Sequence, residues 1–435
     1  MLKTTRLKIA GLAVAVATLG NAQTVDEALA PVDHPAIRYN QTVVNDRVTR
    51  LLKDLKSGKT KLVPTADGSY LTALLRAFDV NPDSQALVFS KTSFQASRIS
   101  PKNPRAIYFS DDMTVGFVRG SNLLEIGALD PTQGVVFYSF DQESMPPRFD
   151  RRDVCLQCHE SKGTLGVPGL MVASVYPDAD GMPAFKGAQN LTDHRTRFED
   201  RWGGWYVTGT HGEMRHLGNA VGHEPDHPEV LDTHGTLNLT SLLKKLDPTG
   251  YLSPLSDIVA LMTLEHQTRM TDLMIRVGWE ARVAAYDAKE GKQDAVARAR
   301  YEADLESMVA YMLFADESPL QDAVQGVSTF TKTFPERGPR DQQGRSLRDF
   351  DLRTRLFRYP LSYMVYSEAF DGMPALVRDQ LYRRLYDILT GKDQSPKFKR
   401  LTAEDRRAIF EILRETKSDL PGYWTAPETA LASAR

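Results

Sequence analysis

Between residues 41 and 57 apolar side chains recur at helical spacing, at Val44, Val48, Leu51, Leu52 and Leu55. One buried stripe on a helix produces that pattern. A second short helix is expected over 70–78. From about 85 to 140 the period changes to two, and short β-branched and aromatic runs alternate with turn residues. Strands are expected over 86–90, 106–109, 114–118, 123–128 and 134–140. The turn-forming stretches at 101–104, 110–112, 120–121 and 130–134 separate them, which predicts an antiparallel meander.

Residues 160–250 are rich in Gly, His and Trp and show little periodicity. They predict irregular loops, with one short strand near 171–176. Helical spacing returns beyond residue 254. Helices are expected over 257–284 (long and amphipathic), 295–314, 363–389 (bent near Gly372–Pro374) and 403–417, with Asp257 and Thr402 as caps. The fold class expected is α+β, predominantly α. It comprises a signal peptide (1–22), a β-rich N-terminal region (23–145), a cofactor-binding region (146–250) and a helical C-terminal region (251–435).

Charge narrows the partners. The 54 basic and 56 acidic side chains give a net charge of -2. Nothing in that balance calls for nucleic acid or an anionic membrane. The N-terminus reads as a secretory signal. Lys3, Arg6 and Lys8 precede an apolar run over 9–19, and Gly20-Asn21-Ala22 offers small residues for cleavage. A retained anchor is the alternative, but the run is short for a span of about 20 residues. The mature chain is therefore expected in the periplasm, with no transmembrane segment after cleavage.

The two cysteines decide the candidate chemistry. They are the only two in the chain and stand three positions apart, in Cys155-Leu156-Gln157-Cys158-His159. This is the attachment pattern for c-type haem. Two thiols at that spacing match the two vinyl groups, and the adjacent histidine reaches the iron as proximal ligand. Chance would produce the pattern about once in ten thousand such chains. A thiol–disulfide pair would use the same spacing but belongs after a strand in a thioredoxin-like context. A zinc site would need two further ligands, and a disulfide across so short a loop would add little stability. One covalent haem c on Cys155, Cys158 and His159 is the expectation.

Several further segments carry a resemblance: Ser90-Lys91-Thr92-Ser93-Phe94-Gln95, Pro104-Arg105-Ala106-Ile107-Tyr108-Phe109, Gly166-Val167-Pro168-Gly169, the run 201–212 (RWGGWYVTGTHG) and the run 257–267 (DIVALMTLEHQ). With the haem motif, they resemble a family of large exported single-motif haem c proteins of environmental bacteria, described as cytochrome c domain-containing. That resemblance implies haem and export and supplies no substrate. One departure from small cytochromes c is plain. The motif lies deep in the chain after a β-rich region, not on a first helix.

The second axial ligand would decide function. Met171, Met182, His211, Met214, His216, His223, His227, His234 and His266 are candidates, and five of the nine histidines fall between 211 and 234. His211 and His216 are preferred, because the Gly-rich aromatic segment before them allows close backbone approach to a porphyrin. His223 and His227 with Glu224 or Asp226 form a weaker metal-site candidate. Arg151, Arg152 and Arg201 are candidates for haem propionates. Glu265-His266 is either a hydrogen-bonded helix contact or part of the pocket. The expected function is electron transfer with a redox partner protein. The alternative is a peroxidase- or oxidase-type haem enzyme with an exchangeable sixth site, and a haem-based sensor is a third class.

Overall fold

The computed structural model describes residues 32–184, 190–224, 227, 229–292 and 294–424. The signal segment expected at 1–22 lies outside them. Six strands run antiparallel in chain order: β1 (Ala86–Val88), β2 (Arg105–Phe109), β3 (Met113–Val118), β4 (Leu123–Asp130), β5 (Gly134–Asp141) and β6 (Arg148–Arg151). A two-stranded ribbon, β7 (Ala173–Ser174) with β8 (Asn190–Leu191), follows in the loop-rich region. The helices are α1 (Arg47–Lys56), α2 (Leu71–Ala77), α3 (Leu156–His159), α4 (Ile258–Lys289), α5 (Ala295–Met312), α6 (Phe330–Thr333), α7 (Glu368–Asp371), α8 (Ala375–Leu389) and α9 (Ala403–Thr416). The chain is α+β, with its sheet in the N-terminal part and its long helices in the C-terminal half. Among the described residues no helix is long and apolar enough to cross a membrane.

Strand alternation gives the sheet two different faces. Leu87, Tyr108, Val115, Leu124, Ile126 and Phe140 pack on Val48 and Leu51 of α1 and on Leu71, Leu74 and Leu75 of α2. On the other face Phe109, Leu129, Val135 and Phe137 enter a larger cluster with α4, α5, α8 and α9. The middle of that second face does not fill with large side chains. Thr114 lies opposite Gly127, Gly116 opposite Glu125, and Gly127 opposite Phe137. Two glycines on one patch leave a depression between the sheet and α4.

Two expectations need correction. The segment 363–389 is not one bent helix. It divides into a 3₁₀ turn (Tyr363–Tyr366), α7 and α8, because Pro374 cannot continue a helix and stands at the N-cap of α8. The long helix α4 is not amphipathic over its first two-thirds, where only Arg269 between Ile258 and Glu280 escapes full burial. Its polar side chains are buried against partners, so a solvent-facing side is missing. Asp257 caps α4 by accepting from the Val259 and Ala260 amides at 2.8 and 3.3 Å. Thr402 closes a capping box with Asp405 on α9. Strand β6 was not anticipated, because its residues Arg-Phe-Asp-Arg at 148–151 are polar and edge-like.

Candidate functional site

The sheet positions the Cys-x-x-Cys-His motif. β6 ends at Arg151, a 3₁₀ turn covers Asp153–Cys155, and α3 carries Leu156 to His159. Neither cysteine is disulfide-bonded; Cys155 is partly buried and Cys158 exposed. Both line a cleft of about 490 Å³, together with His159, within the usual size range of ligand sites. Its floor is the glycine patch of the sheet. Phe137, Leu170, Val172, Trp205 and Leu264 make much of its apolar wall. Thr268 of α4 closes one side.

His159 is held from two directions. Its Nδ1 lies 3.0 Å from the Gly169 carbonyl oxygen, which assigns the proton to Nδ1. The Gly169 amide in turn donates to the His159 carbonyl at 2.9 Å. The Phe137 ring packs on the imidazole at a centroid distance of 4.7 Å. No hydrogen bond engages Nε2 among the described residues, and this nitrogen keeps its lone pair. Burial lowers the His159 pKa below its ordinary value, with the Gly169 bond opposing. The ring is therefore neutral at neutral pH, as an iron ligand must be.

The segment 166–169 supplies the holding carbonyl, and its residue types follow from local geometry. Gly166 has φ of 70°, in the left-handed region. A Cβ on Gly169 would lie 2.0 Å from Oδ1 of Asp272 on α4. That carboxyl accepts from the Leu170 amide at 3.2 Å, so only glycine lets α4 approach the histidine-holding loop.

The preferred distal pair lies elsewhere. His211 and His216 are buried against each other at 4.8 Å between ring centroids, beside Phe198 and Trp202. Neither lines the cleft. His211 Nε2 accepts from the Asn238 amide at 3.1 Å, and His216 Nδ1 accepts from the Gly218 amide at 3.0 Å. Burial pushes His216 down to about 3. His223 and His234 are exposed. His227 faces Glu229 at 3.4 Å, and Asp226 lies outside the described residues. Among the described residues no group of three or more His, Cys, Asp or Glu is arranged for a metal ion. Met182 is exposed, and Met214 sits near the His211 cluster. Of the candidate axial ligands only Met171 lines the cleft, and its sulfur lies 2.9 Å from where a Cβ on Gly163 would stand.

The Glu265-His266 pair is a helix contact. Glu265 meets Arg201 at 3.1 Å with both side chains buried. His266 Nδ1 lies 2.8 Å from His194 Nδ1, and its Nε2 lies 2.7 Å from Ser362 Oγ. Arg201 is thereby committed away from the cleft, donating also to the carbonyls of His194 and Thr196. Arg151 pairs with Asp153 and lies over Tyr39. Of the three arginines only Arg152 lines the cleft, where its Nε donates to Ser139 at 2.7 Å.

Sequence reasoning did not single out Lys91, Arg105 or Glu125, all of which line the cleft. The signal was in the text. Lys91 and Arg105 fall in the segments at 90–95 and 104–109 that carry the resemblance, while Glu125 is the charged residue inside a β-run. No family model, curated protein or solved structure matches this chain.

Proposed function

We propose that this chain is a periplasmic c-type cytochrome that carries one haem on Cys155, Cys158 and His159 and passes electrons to a redox partner protein. One observation carries the reading. The histidine of the motif has its Nδ1 committed to a backbone carbonyl, leaves Nε2 free, and stands with both thiols at one apolar cleft. The donor set fits the group: two uncrosslinked thiols, one neutral imidazole, an apolar wall around them, and arginines at the rim for anionic groups. When bound, haem supplies a one-electron iron couple.

The chain's own part is then placement and access. The Gly169 carbonyl orients His159 and raises its basicity as a ligand. Phe137, Leu170, Val172, Trp205 and Leu264 exclude water from the cleft. Cys158 is exposed and Val154 and Phe94 are each 61% exposed, so the thiol side of the cleft lies at the surface. A partner docking there would approach the cofactor edge. The resemblance to the exported single-motif haem c family supports the same reading, as does the secretory signal.

A second reading, a haem enzyme with an exchangeable sixth site, draws on one observation. Among the described residues lining the cleft there is no histidine besides His159, and there is an arginine–carboxylate pair. The visible spectrum of the purified holoprotein separates the two. A low-spin ferric spectrum unchanged by cyanide or peroxide supports the carrier. A high-spin spectrum that responds to peroxide overturns it.

A further inference from the structure

The two segments at 90–95 and 104–109 meet on the floor of the cleft. Glu125 of β4 accepts from Ser93 Oγ at 2.7 Å and Gln95 Nε2 at 2.9 Å through one oxygen. Its other oxygen accepts from Arg105 Nη1 at 2.7 Å. Gly116, the cross-strand partner of Glu125, leaves room for this network, since a Cβ there would press on it at 3.3 Å from the carboxylate. Arg105 holds Glu125 ionised together with the two neutral donors, keeping its carboxyl below the usual range against the opposing effect of burial. A carboxylate with three donors is a rigid anchor. What it anchors is the arginine. Arg105 commits Nη1 to Glu125, and no hydrogen bond engages its Nη2 among the described residues, in a side chain that is 17% exposed and lines the cleft. A fixed guanidinium N–H on the wall of a largely apolar cleft gains from an anionic acceptor placed in that cleft.

We propose that Arg105 is the anion-receiving side chain of the cleft, that Glu125, Ser93 and Gln95 are its positioning residues, and that the group it receives is an anionic oxygen brought to the haem. This rests on the haem reading. Two sources share that chemistry: a propionate carboxylate of the haem, and a small oxyanion that binds at the iron. The guanidinium geometry suits both.

The test uses wild-type, Arg105→Lys and Arg105→Gln holoproteins. One arm measures midpoint potential against pH, the other the affinity of the ferric protein for nitrite by absorption titration. If Arg105 receives a propionate, Arg105→Gln introduces a pH-dependent slope absent from the wild type, and nitrite affinity stays the same. If it receives an oxyanion at the iron, Arg105→Gln weakens nitrite at least tenfold, Arg105→Lys keeps part of that affinity, and the pH dependence stays the same. Glu125→Gln retains a hydrogen-bonding shape and moves the responsive quantity by less than Arg105→Gln. Potential, its pH dependence and nitrite affinity all unchanged in haem-loaded Arg105→Gln would overturn the assignment. Should Arg105→Gln fail to load haem, Ser93→Ala removes one bond on Glu125 and must move the same quantity in the same direction; no movement overturns the assignment as well. A wild-type protein without covalent haem would instead overturn the cofactor reading.

Discussion

Replacing Glu265 tests how the cleft is held together. Its carboxyl ties α4, which sends Leu264 and Thr268 into the cleft, to Arg201, which leads into the loop of Trp202 and Trp205. At 3.1 Å and an effective dielectric of about 20, the attraction is about 5 kcal/mol. Desolvating each ion costs several kcal/mol, so the pair gives little net stability while it is intact. Removing one partner is different. Glu265→Ala leaves the Arg201 guanidinium buried and uncompensated, and should cost about 3–5 kcal/mol.

Glu265→Gln behaves otherwise. Burial pushes Glu265 up to about 7, with Arg201 opposing. Near neutral pH much of the carboxyl is therefore already protonated, and a neutral amide of the same shape should cost about 1 kcal/mol or less. The folded carboxyl keeps its proton where the unfolded one has lost it. Its contribution is thus complete below its ordinary value of 4.5 and declines as pH rises to about 7. Urea unfolding of wild type, Glu265→Ala and Glu265→Gln at half-unit pH steps would show both effects. Glu265→Ala below about 1 kcal/mol, or an identical pH slope in wild type and Glu265→Gln, would refute the reasoning.

Three further outcomes follow from the same geometry. Asp257→Ala removes acceptors for the Val259 and Ala260 amides and for the Val327 and Ser328 amides, the latter both at 2.8 Å; chemical denaturation should show a loss above the cap value of about 1–2 kcal/mol. Burial lowers His216 and His266 to about 3, so the stability they contribute is complete above the ordinary 6.5 and is lost as pH falls toward 3. His216→Gln should flatten the acid limb of the stability profile by about 1.4 kcal/mol per pH unit, and an unchanged limb would sink the assignment. Gly169→Ala places a Cβ 2.0 Å from Asp272 Oδ1; covalent haem recovered per milligram of purified protein should fall severalfold.

The meander and the helical C-terminal half were legible because alternation and helical spacing are local signals. β6 was not, since Arg148 and Asp150 give an edge strand no apolar alternation. The motif residues were legible because thiol spacing is a covalent requirement, readable without a fold. The rest of the cleft was not. Arg105, Glu125 and Gly127 come together only through the register of β2, β3 and β4, and a one-residue slip would face them the other way. His211 and His216 show the converse problem. A Gly-rich loop permits close approach to a porphyrin, but the same freedom folds the loop back on itself around Trp202 and Phe198. The polar residues of α4 were only half legible for a related reason. Glu265-His266 was legible only as a hydrogen-bonded contact or part of the pocket; the fold decides for the contact, because Glu265, His266 and the neighbouring Gln267 each have a buried partner from a distant segment, in Arg201, His194 and Tyr363.

The most direct test of the central reading is whether haem stays on the polypeptide after denaturation. Wild-type protein matured with the haem-attachment machinery should show haem absorbance that survives acid–acetone extraction and denaturing electrophoresis, with an intact mass raised by one haem. The Cys155→Ala/Cys158→Ala double variant should lose the extraction-resistant haem while keeping its far-ultraviolet circular dichroism, because neither cysteine is disulfide-bonded and Cys158 is exposed. Wild-type protein matured with the haem-attachment machinery that emerges colourless, with two free thiols, would contradict the account.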